Sequence, residues 1–470
     1  RVEITEGVVQ RVEEVIRREI PREDLQMMIS NIGVLYDWPA AYTPNSGPMD
    51  AFINVQLTEH RRRTAQDYTH TLRQKLREEF PGIEFAFDTG GLITAALNFG
   101  LPSPINIQVE GNKLDVAYGI ARRIKEAVEQ VPGTVDVRIQ QNPDYPQIQI
   151  DVDRVKAAYL GLTQEEVVKN IVTTLNSSIN FAPAFWIDHR NGNHYFLGAQ
   201  YREEDIRSLE TLENIPISGR NGTKPVLLKN IATFRRATAP AEINHLNITR
   251  VTDIYANVRG RDIGSVAADI ENRLAKIHQD IPEGYFISMR GEVQSMRESF
   301  QNLGFGLVMA VALVYLVMVI QFRSFVDPLI VMFAVPLGIV GVLWMLFLTG
   351  INFNIQSLMG TTMMVGIVVA FSILLVDFAN RLQAEGRGVE DAILEAAQIR
   401  LRPILMTSLA AMLALIPMAV AGGANIPLAR AVIGGVGASA LLTLLVVPLL
   451  YRVLKRNARI SAHEENLPAM

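Results

Sequence analysis

Three side chains in the last third of this chain stand out because of their surroundings. Asp377, Arg400 and Thr407, with Ser372 and Ser408 near them, lie in or at the mouths of long apolar stretches. Ionisable groups in such a setting are costly, so each is by default a candidate for an ion pathway. Arg400 and Thr407 are spaced to share one helix face, two turns apart. Each group also has a plainer reading. Arg381 follows Asp377 at the i,i+4 spacing of a helical ion pair, and the long stem of Arg400 lets its charge reach a headgroup layer.

The elements that position these groups are five apolar runs: Leu303 to Phe322, Leu329 to Leu348, Leu358 to Phe378, Ile404 to Ala421 and Val432 to Leu450. Each is close to the ~20 residues an α-helix needs to cross ~30 Å of hydrocarbon. Their connections set an orientation, because Lys and Arg in short loops stay on the cytoplasmic side. Arg323 lies between the first two runs, Arg381, Arg387, Arg400 and Arg402 between the third and fourth, and Arg452, Lys455, Arg456 and Arg459 follow the fifth. The alternate loops hold only Arg430. The C-terminus is therefore expected in the cytoplasm and Arg1 to Asn302 on the far side. The N-terminal segment has neither an apolar h-region nor a small-residue cleavage site, so the chain reads as part of a longer one.

Composition excludes little else. With a formal net charge of −4 there is no basic footprint for nucleic acid, and with no cysteine there are no disulfides or thiolate metal sites.

The first three hundred residues contain a repeat. Phe52, Val55 and Leu57 alternate as a strand, Thr64 to Phe80 reads as a helix, and Pro81-Gly82 leads to a strand from Ile83 to Phe87. The order recurs from Ile105 to Ile139, with Pro132-Gly133 as the stop, and from Val251 to Met289, with Pro282-Glu283-Gly284. Pro and Gly end each helix and turn the chain back. A β-α-β order with one crossover helix places both strands in one sheet, as in split βαβ, ferredoxin-like modules. Between the second and third copies, Thr163 and Glu166 form a capping box before an apolar-periodic segment. Asn191-Gly192 and Asn221-Gly222 mark hairpin turns. The expected class is an α+β part, two ferredoxin-like modules with an inserted hairpin docking subdomain, followed by an all-α part of five transmembrane helices. The expected divisions are 1–100 for the first module, 101–155 and 239–300 for the second, 156–238 for the insert, 301–455 for the membrane domain and 456–470 for a tail.

This plan resembles the C-terminal half of an inner-membrane permease of the resistance-nodulation-cell division (RND) superfamily, AcrB-like hydrophobe/amphiphile branch. The resemblance rests on Phe322-Arg323-Ser324-Phe325 leading to Val335-Pro336-Leu337-Gly338, on Val365-Gly366-Ile367 and Leu375-Val376-Asp377-Phe378-Ala379, on Arg400 to Ser408, and on Val447-Pro448. It implies a periplasmic porter and docking region, a homotrimer driven by protons, a periplasmic adaptor and an outer-membrane channel as partners, no cofactor, and multidrug-type cargo. The remaining half would supply an acidic pair. Arg400 and Thr407 fall on positions of the family's proton relay, but Ala370 stands where the multidrug members carry a lysine and Phe371 where they carry asparagine, so the lysine-based mechanism does not carry over.

The same resemblance places a substrate-contacting loop at about Val34 to Met49, with Leu35, Tyr36, Trp38 and Tyr42, and matches Phe52, Phe85 and Phe87 to pocket aromatics. Such rings suit greasy, variable ligands, or close the module's own core. Metal export calls for soft or imidazole ligands held together. Met27 and Met28 are adjacent on a strand and point to opposite faces, and His189 and His194 lack a third ligand. No phosphate-binding loop, nucleophile elbow or HExxH helix occurs, so neither ATP-driven transport nor enzyme activity has support. An anchored binding or assembly protein is the alternative of a different class. Alone, the chain is expected not to transport.

Overall fold

The computed structural model describes residues 2–34, 45–89, 101–219, 224–421 and 423–464. In chain order, α1 (Val2–Glu19), β1 (Leu25–Ile32), β2 (Ala51–Leu57) and α2 (Ala65–Glu79) precede β3 (Ile105–Glu110), α3 (Leu114–Glu129) and β4 (Thr134–Ile139). The insert runs from β5 (Tyr145–Val152) through α4 (Arg154–Tyr159), α5 (Gln164–Asn176), β6 (Ala184–Ile187), β7 (His194–Leu197), α6 (Leu209–Glu213), β8 (Pro216–Ile217) and β9 (Val226–Leu227) to β10 (Ala232–Ala239). Then come β11 (Asn244–Leu246), β12 (Thr249–Val258), α7 (Ile263–His278) and β13 (Phe286–Arg290), followed by α8 (Glu292–Phe322), α9 (Val326–Met332), α10 (Ala334–Leu348), α11 (Ile355–Ala384), α12 (Val389–Val420) and α13 (Ile426–Glu464). The chain divides into two compact units, one of residues 1–62, 111–119 and 139–252, the other of 63–110, 120–138 and 253–470.

In the first unit, β1 and β2 pair antiparallel with Asn31 opposite Phe52. The insert is entered and left through the antiparallel ribbon of β5 and β10. Its core gathers Leu162, Val167, Ile215, Ile217, Leu228 and Ile231. The Thr163 and Glu166 box caps α5 as expected, each side chain bonding the other residue's backbone N–H. Asn191-Gly192 turns β6 into β7, with Gly192 at φ +75°, a conformation that needs no Cβ. The β8–β9 pair also forms, while its Asn221-Gly222 turn lies outside the described residues.

In the second unit, β12 pairs with both β3 and β4, and β13 pairs with β3. Neither β3 and β4 nor β12 and β13 are neighbours, so each βαβ unit is split by a strand of the other, as the repeat predicts. The inner face buries Ile105, Ile107 and Val109 of β3, and Ile124 of α3 and Ile270 of α7 are equally buried. The first copy of the repeat differs from expectation. Residues 83–88 form no strand. The Phe87 N–H instead donates to Asp136 Oδ2 at 3.3 Å, and Asn257 Nδ2 donates to the Phe87 carbonyl at 2.6 Å. Side chains of β4 and β12 take the bonds a ladder would have used.

Among the described residues, five helices are long and apolar enough to cross a membrane, with Val326–Leu348 counted as one span made of α9 and α10. They extend beyond the apolar runs: α8 starts at Glu292 and α12 at Val389, because polar residues continue the helix outside the hydrocarbon. The tightest packing joins α10 and α13 through glycines. A Cβ added at Gly341 would lie 2.4 Å from Gly434 O, and one at Gly434 would lie 2.2 Å from Met345 Cβ. Close backbone approach through small residues is how helices associate where water supplies no driving force. α11 joins the same core, with Met364 against Gly338 and Gly435, whereas α8 and α12 bury little of their surface.

Candidate functional site

α11 carries Asp377, and α12 carries Arg400 and Thr407. Each finds a local partner. Asp377 Oδ2 lies 2.9 Å from Arg381 Nη2, and both side chains are substantially exposed. The Arg400 guanidinium sits 5.1 Å from the Phe378 ring centroid, a cation–π contact, while its Nε is buried without a hydrogen-bond partner. Thr407 Oγ1 donates back along its own helix to Pro403 O at 2.9 Å and lies on an exposed face. Ser372 is fully buried and donates to Val368 O at 3.1 Å, and Ser408 is buried with Oγ unpartnered. Asp377, Arg400 and Thr407 therefore do not bond to one another. Ala370 lies exposed on α11.

A cluster the sequence reading missed lies where α9, α11 and α13 meet. Asp327, 3% exposed, has Lys455 Nζ 3.0 Å from Oδ1. Asn380 Nδ2 donates to Asp327 Oδ2 at 3.1 Å. Asn380 Oδ1 in turn accepts from Tyr451 Oη at 2.6 Å and Lys455 Nζ at 2.7 Å, and the ammonium lies 5.0 Å from the Tyr451 ring centroid. The available signal was Asp327 itself, a lone acid beside an apolar run. Lys455 was read only as a positive-inside residue, although it and Tyr451 share a helix face at i,i+4 spacing.

Of the aromatic candidates, Phe52 projects from β2 at 38% exposed. Phe85 packs edge-on against Phe80 with centroids 6.0 Å apart, and Phe87 lies under Arg73 at 4.9 Å, so both are engaged inside their own unit. Leu35, Tyr36, Trp38 and Tyr42 lie outside the described residues. Met27 and Met28 alternate along β1 opposite Gln56 and Val55. Among the described residues, no three His, Cys, Asp or Glu side chains gather as a metal site.

The model of the AcrB/AcrD/AcrF family matches residues 2–455. The chain is 30% identical over 372 residues to the cobalt-zinc-cadmium resistance protein CzcA of Cupriavidus metallidurans, covering 76% of this chain and 34% of that protein. It is 27% identical over 429 residues to the multidrug resistance protein MdtC of Yersinia pestis, covering 87% and 39%. A crystal structure of a heavy metal efflux pump superposes with a TM-score of 0.81 at 25% identity, covering 97% of this chain and 46% of that one. The chain thus spans about a third of the length of the curated relatives it matches. With a family match over nearly its whole length, a shared fold and five apolar spans, this multi-pass membrane chain belongs to the AcrB/AcrD/AcrF family of RND permeases.

Proposed function

We propose that this chain is the C-terminal half of an RND efflux permease of the bacterial inner membrane. In this reading its α+β part lies in the periplasm, its C-terminus is cytoplasmic, and protons drive export of hydrophobic or amphiphilic compounds. The observation that carries transport over simple anchoring is the placement of polar groups in the apolar helices. Asp327 and Ser372 are buried there, and Ser408 and Arg400 Nε are buried without partners. Such groups are costly in hydrocarbon and have no use in an anchor. For cargo, the exposed Phe52 and the likeness to MdtC favour amphiphiles. A second reading, metal-ion export, is favoured by the likeness to CzcA and to the nickel and cobalt resistance protein CnrA, at 31% identity over 367 residues. A homotrimer with a periplasmic adaptor and an outer-membrane channel completes the proposal.

The test is efflux from cells carrying the full reading frame, with the proton gradient intact or collapsed by an uncoupler. A lipophilic cationic dye and Co²⁺ or Zn²⁺ are compared as cargo in wild type, Arg400→Ala and Thr407→Ala. Gradient-dependent dye efflux that both substitutions abolish supports the amphiphile reading. Efflux of metal alone moves the cargo to the second reading, and efflux of neither sinks both.

A further inference from the structure

The short helix α9 has a hinge at each end. Before it, Arg323 takes φ +50°, a left-handed conformation that ends α8 and that few side chains adopt. Ser324 Oγ then accepts from the N–H groups of Val326 and Asp327 at 3.2 and 3.4 Å. After it, Pro336 has no N–H to give to the Met332 carbonyl four residues back, and the helix is interrupted at Phe333. Ile330 and Val331 hold the segment in the apolar core, so it can pivot there without undocking.

Asp327 ties this segment to α11 and α13. Its Oδ2 takes the Asn380 amide at 3.1 Å and Lys455 Nζ at 3.3 Å. Its Oδ1 lies 3.0 Å from the same ammonium, yet is buried and accepts no hydrogen bond. Buried oxygens are rarely left so, and this one has lone pairs free to take an O–H bond. The two ends of the pair differ in access. Asp327 is buried, whereas the Lys455 side chain is partly exposed and donates to Asn380 Oδ1 at 2.7 Å. A carboxylate and an ammonium are each costly when unpaired in hydrocarbon. A proton on Asp327 neutralises the buried member, and the ammonium, on a flexible stem that reaches water, stays solvated. We propose that Asp327 is a proton-binding site and that taking up one proton there releases α9 from α13. The proton comes from a hydronium ion, which gives up one O–H bond as Oδ1 gains one, and Lys455 keeps its own protons throughout.

Among the described residues, the other titratable groups on the helices packed against α9 are engaged elsewhere or remote. Asp377 and Arg381 of α11 pair with each other, and Arg452 of α13 pairs with Glu390 of α12. Tyr451 of α13 donates to Asn380 Oδ1 at 2.6 Å, and Tyr315 of α8 donates to the Phe325 carbonyl at 3.1 Å. The charged residues of α8 lie in its first two turns, and α10 has no ionisable group. The use of the site rests on the proton-driven reading, in which a group that changes charge among apolar helices is where a gradient can act.

The test is the distance between α9 and α13 as pH is varied, read by double electron–electron resonance on the purified full-length protein in detergent. Spin labels are attached through Leu329→Cys and Leu449→Cys, both at exposed positions, with any cysteine outside this chain replaced. Two distance populations are expected. The longer one should gain as pH falls from about 8 to about 5, by up to ~10-fold per unit, the dependence of a single proton. Asp327→Asn should show the longer distance at every pH, and so should Lys455→Met, which removes the other end of the tie. A distance that does not change with pH, or a titration that persists in Asp327→Asn, overturns the proposal. If Asp327→Asn does not fold, Lys455→Met decides: a constant long distance supports the site, and anything else overturns it. The readout needs no cargo to move, so a failed titration and a failed efflux test are separate results.

Discussion

Asp327 is held in an apolar bundle by two partners, Lys455 and Asn380. Removing the cation by Lys455→Met leaves a buried carboxylate uncompensated. It should lower stability in detergent by about 3 kcal/mol, the low end of the range for broken buried pairs, because the Lys455 side chain is 23% exposed. Adding Asp327→Asn should recover most of the loss in the same denaturation measurement. No recovery would mean that the charge pair is not what holds the three helices there. Asp262 makes a different residue-scale argument. It caps α7, and its carboxylate is held below the ordinary value of 3.8 mainly by the Ser265 hydroxyl, then by the Ser265 backbone N–H. A depressed carboxylate stabilises above its unfolded value, and the contribution is lost as pH falls through the folded one. Asp262→Ala should therefore cost about 1 kcal/mol near neutrality, a penalty that shrinks below pH 3.8. A penalty constant with pH would contradict this. Asp377 and Arg381 were legible as a pair because i,i+4 spacing is local. The Asp327 cluster was not, because its members meet only once three helices pack.

Glycines separate the helices that must interlock from those that need not. At Gly434 a Cβ would lie 2.2 Å from Met345 Cβ and 2.7 Å from Gly341 O, so Gly434→Ala should destabilise by about 2 kcal/mol through overpacking. At Gly366 nothing lies within 4 Å, and Gly366→Ala should be neutral or gain up to ~1 kcal/mol from helix propensity. Thermal unfolding of the two variants side by side checks this, and equal effects would contradict the packing. Helices and hairpins were legible where a period or a turn announced them, as with Thr163, Glu166 and Asn191-Gly192. The segment 83–88 had the composition of a strand, but its bonds go to Asp136 and Asn257, residues remote in sequence. Composition carries no information about such partners.

For the molecule as a whole, the expected orientation is open to a direct test, since the chain has no cysteine of its own. In cells carrying the full reading frame, a single cysteine at Asn352, between α10 and α11, should react with an impermeant maleimide from outside. One at Arg387, between α11 and α12, should react only after the membrane is opened. The reverse pattern would invert the topology argued from Lys and Arg. The five spans were legible because ~20 apolar residues admit one reading, and the split modules because their order repeats. The faces of α8 and α12 were not, since exposure depends on what packs beside them. The seam between α10 and α13 sets a limit on where water can enter the helices. Where a Cβ at Gly341 would already lie 2.4 Å from the atoms opposite, no probe the size of water fits. A hydrated file cannot thread that seam, so water that reaches the polar groups of α11 and α12 does so by another side of these helices.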